Sequence, residues 1–261
     1  MSRPVRRWRL DLVPLILPAL VLVAWEIASA TGLLRAVFFP RPSTIARLLL
    51  AQVADGTLLA HLGLTVARLT AAFVLAAVPG VAVGLAMGMS RRTREGLDPL
   101  FALLYPIPSV LFLPLVSFAL RQEEVAVAVT AAFTSFFLVV YTTMTGVQQL
   151  DRTVLEAARH FGAHGRRFFL TVLLPATLPA IFTGLRLGLG YTLIVVVAVE
   201  MVSAQRGLGA LLWLSWQILK VEEMYVALVT VAVLGAVLTG AVEWLRRRLI
   251  PWAQDIAEVG A

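Results

Sequence analysis

Cysteine is absent from this 261-residue chain, and lysine occurs once, at Lys220. Without cysteine the chain has no disulfide, no thiol nucleophile and no zinc–thiolate site. A nucleotide-binding P-loop needs a glycine-rich loop that ends in Lys-Ser or Lys-Thr, yet Val221 follows the single lysine. The chain therefore lacks the P-loop that it would need to hydrolyse ATP by itself.

Charged residues are also scarce, at 14% of the chain, whereas 60% of the residues are hydrophobic. The mean hydropathy is +0.89. Soluble domains average about 45–50% apolar and about 25% charged residues, so these values predict an all-α integral membrane protein with one domain over residues 1–261. The formal charge of +7 does not indicate nucleic-acid binding, because the basic residues are dispersed between apolar runs.

Catalytic constellations are missing as well. We find no Ser/His/Asp arrangement, no paired carboxylates at a plausible site and no nucleotide-binding fold, so we expect no catalytic residues, no bound cofactor and no enzyme activity. His160 and His164 are not expected to bind a metal, since Gly162 interrupts the helix between them and arginines surround them.

Apolar runs long enough to cross a bilayer, about 20 residues each, occur six times. The N-terminal run follows several arginines, as in a signal peptide. It is longer than a cleavable apolar region of about 7–15 residues and lacks a small-x-small cleavage site, so we interpret it as a retained span. The predicted spans are 12–31, 65–89, 98–119, 125–147, 178–202 and 225–245. Pro42 and the apolar spacing after it predict a short amphipathic surface helix between the first two.

Basic residues are distributed unevenly between the two sides of these spans. Membrane proteins concentrate arginine and lysine in cytoplasmic segments, so the distribution predicts that both termini are cytoplasmic. Of the 22 basic residues, 14 then lie on the cytoplasmic side: Arg3, Arg6, Arg7, Arg9, Arg91, Arg92, Arg94, Arg152, Arg159, Arg166, Arg167, Arg246, Arg247 and Arg248. The opposite side holds Arg35, Arg41, Arg47, Arg121, Arg206 and Lys220.

The polar segment 151–175, between the fourth and fifth spans, is the most distinctive part of the sequence. Asp151 is placed to cap a short helix that contains Glu156-Ala157-Ala158. Gly162 permits a backbone turn, and a second basic helical piece follows it. We expect Pro175 and Pro179 to break the helix before the next span. The segment therefore predicts two short helices that project from the membrane, although an ordinary basic loop that binds anionic lipid is the simpler alternative.

This spacing resembles the EAA loop of ABC-importer permeases: E-A-A, three residues, G, nine residues, I, one residue, L-P. Glu156, Ala157, Ala158, Gly162, Leu174 and Pro175 match, and Val172 replaces the isoleucine. The resemblance is strongest to permeases for nitrate, sulfonates and taurine. Further similar stretches are Pro40-Arg41-Pro42, Thr65 with Arg68, residues 84–90, Asp98-Pro99, Pro106-Ile107-Pro108, Leu113-Pro114-Leu115, Gly184-Leu185-Arg186, Glu200-Met201 and Gly207-Leu208-Gly209.

The resemblance implies a type I importer permease fold with six spans and a cytoplasmic coupling helix that contacts an ATPase. It also implies a prokaryotic inner-membrane homodimer, two ATP-binding subunits that hold ATP and Mg, and an extracytoplasmic solute-binding protein. One stretch departs from the family. Where relatives often have W-F-G-x-G-E, this chain has no glycine in residues 118–123.

Polar residues inside the spans are candidates for the translocation path. Thr130, Thr134, Tyr141 and Thr145 share one helix face within about 60°, although bonding between helices is the commoner role of such residues. Arg186 and Glu200 are about 21 Å apart along one helix, so we expect each to pair with a neighbouring helix rather than the solute. If the solute is an anion, Arg186 is the better attraction point. Arg68 is close enough to the end of its span to reach the interface.

The residues alone do not identify the transported solute. Nitrate, sulfonate or taurine is favoured by the resemblance, and a thiamine precursor or a riboflavin-like vitamin is the alternative. The other class considered is an ion-coupled secondary transporter. That class would need acidic relays deep in the spans, which are scarce here, and it would leave residues 151–175 unexplained.

Overall fold

The structure is a computed structural model that describes residues 13–203 and 205–252, with side chains from Ile16 onward. Every regular element in these residues is helical, which confirms the predicted all-α class. The basic N-terminal residues and position 12 of the first predicted span lie outside them. The elements are α1 (Val13–Ala30), α2 (Pro42–Ala54), α3 (Thr57–Met89), α4 (Arg91–Leu104), a 3-10 turn (Ser109–Phe112), α5 (Leu113–Leu120), α6 (Glu123–Gln148), α7 (Arg152–His160), α8 (Gly165–Phe168), a π-helix (Phe169–Leu173), α9 (Leu174–Ser203), α10 (Leu208–Gln217) and α11 (Val221–Leu249).

Within residues 13–203 and 205–252, four helical segments are long and apolar enough to cross a membrane: Thr57–Met89, Glu123–Gln148, Gly165–Ser203 and Val221–Leu249. They contain the spans predicted at 65–89, 125–147, 178–202 and 225–245. The described apolar part of α1, Ile16–Ala30, is shorter than the other four. We call the side of the bundle that carries residues 151–175 the loop end, and the other side the opposite end.

The predicted span 98–119 is bent rather than straight. Helices α4 and Ser109–Leu120 meet at 84°, so the pair is counted as one more span only if it crosses as a broken helix. Pro106 and Pro108 lie at the break, where they lack backbone N–H groups and disfavour a helical residue before them. After α5 the chain turns at Arg121, whose φ of 51° is left-handed. A non-glycine residue therefore makes the turn in the stretch 118–123, which contains no glycine.

The core forms around α6, which packs between α3 and α9. Glycines at four-residue spacing on α3 allow this close approach: a Cβ on Gly80 would meet Val139, and one on Gly84 would meet the Val140 carbonyl oxygen. A Cβ on Gly88 would meet Val147. Such small residues let membrane helices approach until their backbones nearly touch. These glycines therefore serve the close packing of α3 on α6.

Helices α1 and α2 are joined at the opposite end. Proline occupies the first residue of α2, as predicted, and the Glu26 carboxylate accepts hydrogen bonds from the Ser43 backbone N–H (3.0 Å) and hydroxyl (2.8 Å). A carboxylate at a helix N-terminus is favoured, because it satisfies free N–H groups and faces the positive end of the helix dipole. The short helix α10 packs at the same end against α9 and α11.

Candidate functional site

The segment 151–175 contains the two short helices that its sequence predicts. The Asp151 carboxylate caps α7 by accepting the backbone N–H of Thr153 at 2.8 Å. Gly162 has a φ of +85°, and a Cβ built there would meet nothing within 4 Å. Glycine is therefore required by the left-handed backbone and not by crowding.

Helix α7 carries the Glu156-Ala157-Ala158 part of the EAA pattern on its accessible surface. No residue of α7 is buried: Glu156 and Ala157 are exposed, and Ala158 is half-buried. Phe161, directly after α7, has 91% of its surface exposed. This part of the pattern therefore lies where another protein can reach it.

A cavity of about 390 Å³ separates part of α7 from the bundle. Leu155 and Arg159 line it from α7, and the Arg159 guanidinium lies 5.1 Å from the centre of the Phe168 ring. The loop is therefore held through this stacking contact and through its covalent continuation into α8, rather than by close packing of the whole of α7.

Leu174 and Pro175 open α9 and do not end a helix. The expectation that Pro175 and Pro179 break the helix is wrong, because α9 includes both residues. A π-helix precedes Pro175, and Pro179 lies inside α9. Local π geometry can compensate for the hydrogen bonds that proline removes, and the π-helix Phe169–Leu173 ends two residues before Pro175.

The predicted polar face of α6 is divided between two environments. Thr130 is buried and its hydroxyl has no hydrogen-bond partner among the described residues, while Thr134 is half-buried. Tyr141 and Thr145 instead line an open cavity of about 500 Å³ at the loop end, together with residues of α9 and Arg246 of α11. The Tyr141 hydroxyl donates to Asp98 at 3.1 Å. Only the loop-end half of this face therefore borders open space.

Arg186 pairs with a neighbouring helix, as expected. Its guanidinium lies 3.6 Å from the Glu243 carboxylate, which also accepts hydrogen bonds from Arg246 and Arg247. Arg186 and Arg246 line a second cavity of about 320 Å³ beside the first. Sequence reasoning missed Arg246, which had been assigned only to the count of cytoplasmic charges.

Glu200 belongs to an ionic cluster at the opposite end, which we define as Thr65, Arg68, Glu124 and Glu200. All of its members are buried except Glu124, whose side chain is 58% exposed. The Arg68 guanidinium donates to Glu200 (3.0 Å) and twice to Glu124 (2.6 and 2.8 Å). Glu200 also accepts hydrogen bonds from the Thr65 hydroxyl and the Gly209 backbone N–H. The expectation that Arg68 reaches the interface is wrong: the residue is 4% exposed, because carboxylates on two other helices hold it inside.

The same cluster fixes the backbone between α9 and α10. Arg68 donates to the Arg206 carbonyl oxygen at 2.7 Å, and the Leu208 N–H donates to the Thr65 hydroxyl at 2.8 Å. His61, one turn before Thr65, accepts the Gly207 N–H at 3.1 Å. The sequence contained a partial signal for this site, because two of its stretches resemble the family: Thr65 with Arg68, and Glu200 with Gly207-Leu208-Gly209. Nothing in the sequence showed that these two stretches contact each other.

Comparison with known proteins supports the membrane-transport interpretation. Residues 80–252 match the model of the binding-protein-dependent transport system inner membrane component. The taurine transport system permease protein TauC of Escherichia coli is 30% identical over 243 residues, 91% of this chain and 88% of that protein. The putative aliphatic sulfonates transport permease protein SsuC of Bacillus subtilis is 29% identical, covering 91% and 86%. The nitrate import permease protein NrtB of Synechocystis is 31% identical, covering 72% and 68%.

Proposed function

This chain belongs to the family of binding-protein-dependent transport system inner membrane components, and from that premise we propose that it forms the path of an ATP-driven importer for a small anion. It is a multi-pass inner-membrane transport subunit and not an enzyme. The observation that carries the proposal is the exposed helix α7. The left-handed Gly162 follows it, and α8 then continues directly into the membrane helix α9.

The loop end faces the cytoplasm in this proposal. Among the described residues, both the α3–α4 junction and the end of α11 carry three arginines at that end, and residues 151–175 carry four more. Fewer basic residues lie at the opposite end, and positive charge concentrates in cytoplasmic segments. Both termini are then cytoplasmic, and the cluster of Arg68 and Glu200 lies near the outer surface.

Coupling to the energy source occurs through α7. Glu156, Ala157 and Ala158 dock in a groove of a separate ATPase subunit, which holds ATP and Mg, and Gly162 sets the angle between α7 and α8. Because the chain has no P-loop, the ATPase is another polypeptide. The assembly contains two copies of this chain, two ATPases and an extracytoplasmic solute-binding protein. Closure of the ATPases moves the helices between inward-open and outward-open packings.

The solute is a small anion of the nitrate or sulfonate kind. Relatives named for taurine, sulfonate and nitrate transport support this choice, as do the arginines that border the loop-end cavities. A thiamine precursor or a riboflavin-like vitamin is the alternative solute. An ion-coupled secondary transporter is the other class, and it predicts uptake that follows an ion gradient and survives loss of the ATPase.

Substitution of Gly162 tests the coupling role. Gly162→Val places a β-branched residue at a positive φ, which L residues strongly disfavour, so α7 should lose its angle to α8. We expect loss of both ATPase co-purification and uptake, while the variant still reaches the membrane. Gly96→Val is the matched control, because Gly96 also lies in open space at the loop end but does not have a positive φ.

A second variant separates coupling from misfolding. Glu156→Arg reverses an exposed charge on α7 without changing the backbone, and we expect it to weaken ATPase co-purification. Normal co-purification and uptake in both Gly162→Val and Glu156→Arg would overturn the assignment of residues 151–175 to coupling.

A further inference from the structure

The loop-end cavity between α6, α9 and α11 carries an inference beyond the coupling role of the loop. We propose that this cavity is a binding site for a small oxyanion, with the Arg246 guanidinium as its main cationic contact. The proposal rests on the proposed function in one respect, since an imported anion would pass this end of the bundle before its release.

The cavity has the size and composition of a ligand site. Its volume of about 500 Å³ lies within the range of about 300–1,000 Å³ that is common for small-molecule pockets. Its walls come from three helices. The polar lining residues are Tyr141 and Thr145 on α6, Gln149 directly after α6, Thr183 on α9 and Arg246 on α11. At its floor, a Cβ on Gly146 would meet Ala180, so two small residues bring α6 and α9 together beneath the polar groups.

The charge beside the cavity is positive. Arg186, Arg246 and Arg247 all lie within 4 Å of the single carboxylate of Glu243, which leaves two positive charges without a partner in that group. Asp98 of α4, which accepts the hydroxyl of the cavity residue Tyr141, is a further nearby acid. One positive charge therefore remains when both acids are counted, and a monovalent anion would balance it.

The available hydrogen-bond donors also suit an oxyanion. Arg246 uses Nε and Nη2 to bind Glu243, so Nη1 can still donate. The Thr145 hydroxyl and the Gln149 amide add donors from α6. By contrast, the Thr142 and Thr183 hydroxyls already donate to backbone carbonyl oxygens of their own helices. Nitrate and a sulfonate headgroup both present three acceptor oxygens, which is the chemistry that these donors match.

The absence of cysteine from the chain allows a direct test. Thr183→Cys introduces a single thiol at the exposed wall of the cavity, in the intact transporter in membrane vesicles without ATP. The thiol is modified in separate experiments with a sulfonate-bearing methanethiosulfonate reagent and with its cationic trimethylammonium counterpart. Each modification rate is divided by the rate at which the same reagent modifies a small thiol free in solution. We expect the normalised anionic rate to exceed the cationic rate by about three- to tenfold, from one nearby unit charge in a partly hydrated site.

Two further substitutions make opposite predictions for this rate ratio. Arg246→Gln should bring it to about one, whereas Glu243→Gln should raise it by about a further threefold, because one removes a cation and the other a carboxylate. Arg248→Gln is the matched control and should leave it unchanged, since Arg248 instead stacks on Trp244 at 4.6 Å.

Protection by anions completes the test. Millimolar nitrate or methanesulfonate should slow modification of the thiol by either reagent at least threefold, whereas chloride at the same ionic strength should not. Slowing by only one of the two anions would identify which class binds. An equal ratio in Arg246→Gln and Arg248→Gln, or no slowing by either anion, would overturn the proposal. The assay needs neither ATP nor ATPase contact, so its failure is distinguishable from failure of the coupling role.

Discussion

Arg68→Met is expected to be strongly destabilising, because it removes the only cation from the ionic cluster. Arg68 makes four hydrogen bonds: three to carboxylates on α6 and α9 and one to the Arg206 carbonyl oxygen. Glu200 is completely buried, so its charge would have no solvent to compensate it. Removing one partner of a buried ion pair costs about 3–5 kcal/mol, and we expect a loss of stability of that size.

The measurement is the melting temperature of the detergent-solubilised chain, followed by loss of monodispersity or by tryptophan fluorescence. For a chain of this size, each kcal/mol corresponds to about 2–4 °C, so Arg68→Met should melt about 6–20 °C below the unmodified protein. Arg91→Met is the control: Arg91 pairs with Glu95 at 2.6 Å, but the arginine side chain is 82% exposed. Exposed pairs contribute about 0–1 kcal/mol, so its shift should stay below about 4 °C.

The double variant Arg68→Met with Glu200→Gln identifies the source of the loss. Neutralising both partners removes the unpaired buried charge, and such replacements are far less costly than breaking the pair. We therefore expect the double variant to recover at least half of the melting temperature lost by Arg68→Met alone. Equal melting temperatures for Arg68→Met and Arg91→Met, or no recovery in the double variant, would refute the reasoning.

Two further predictions concern the backbone. Arg121→Gly should raise the free energy of unfolding by about 0.5 kcal/mol. A left-handed backbone costs an L residue about 1–2 kcal/mol, and the greater conformational entropy that glycine loses on folding offsets about half of this gain. Thermal melting tests this, and a lower melting temperature would contradict it. Gly84→Leu should prevent α3 from packing on α6, with a loss of about 3 kcal/mol or more, whereas Gly240→Leu, in open space, should accumulate in membranes like the unmodified chain.

Local features were the ones that the sequence predicted well. The cap at Asp151, the turn at Gly162 and the start of α2 at Pro42 each depend on a few adjacent residues whose backbone preferences are strong. The close packing along the α3 glycines was also predictable, because four-residue spacing places them on one helix face.

Features that depend on distant residues were not predictable in the same way. Arg68 was expected at the interface, since neither Glu124 nor Glu200 lies near it in sequence. Pro175 and Pro179 were expected to break the helix before the fifth span, but both lie within α9, directly after a π-helix. Helical spacing correctly placed Thr130 and Thr145 on one face of α6. Spacing alone does not show how deeply each residue is buried, and of these two only Thr145 borders a cavity.

The uninterrupted helical run Gly165–Ser203 has a mechanical consequence. Its 39 residues, at a rise of about 1.5 Å each, form a rod about 58 Å long. One end of this rod, at Gly165, lies beside α7. If the rod rotates rigidly about its Gly165 end by about 5°, its other end, near Glu200, moves sideways by about 5 Å. A displacement of this size exceeds the length of the hydrogen bonds that Glu200 makes. Helix α3 must then move together with this end of α9, or the hydrogen bonds between Glu200 and α3 must break in every transport cycle.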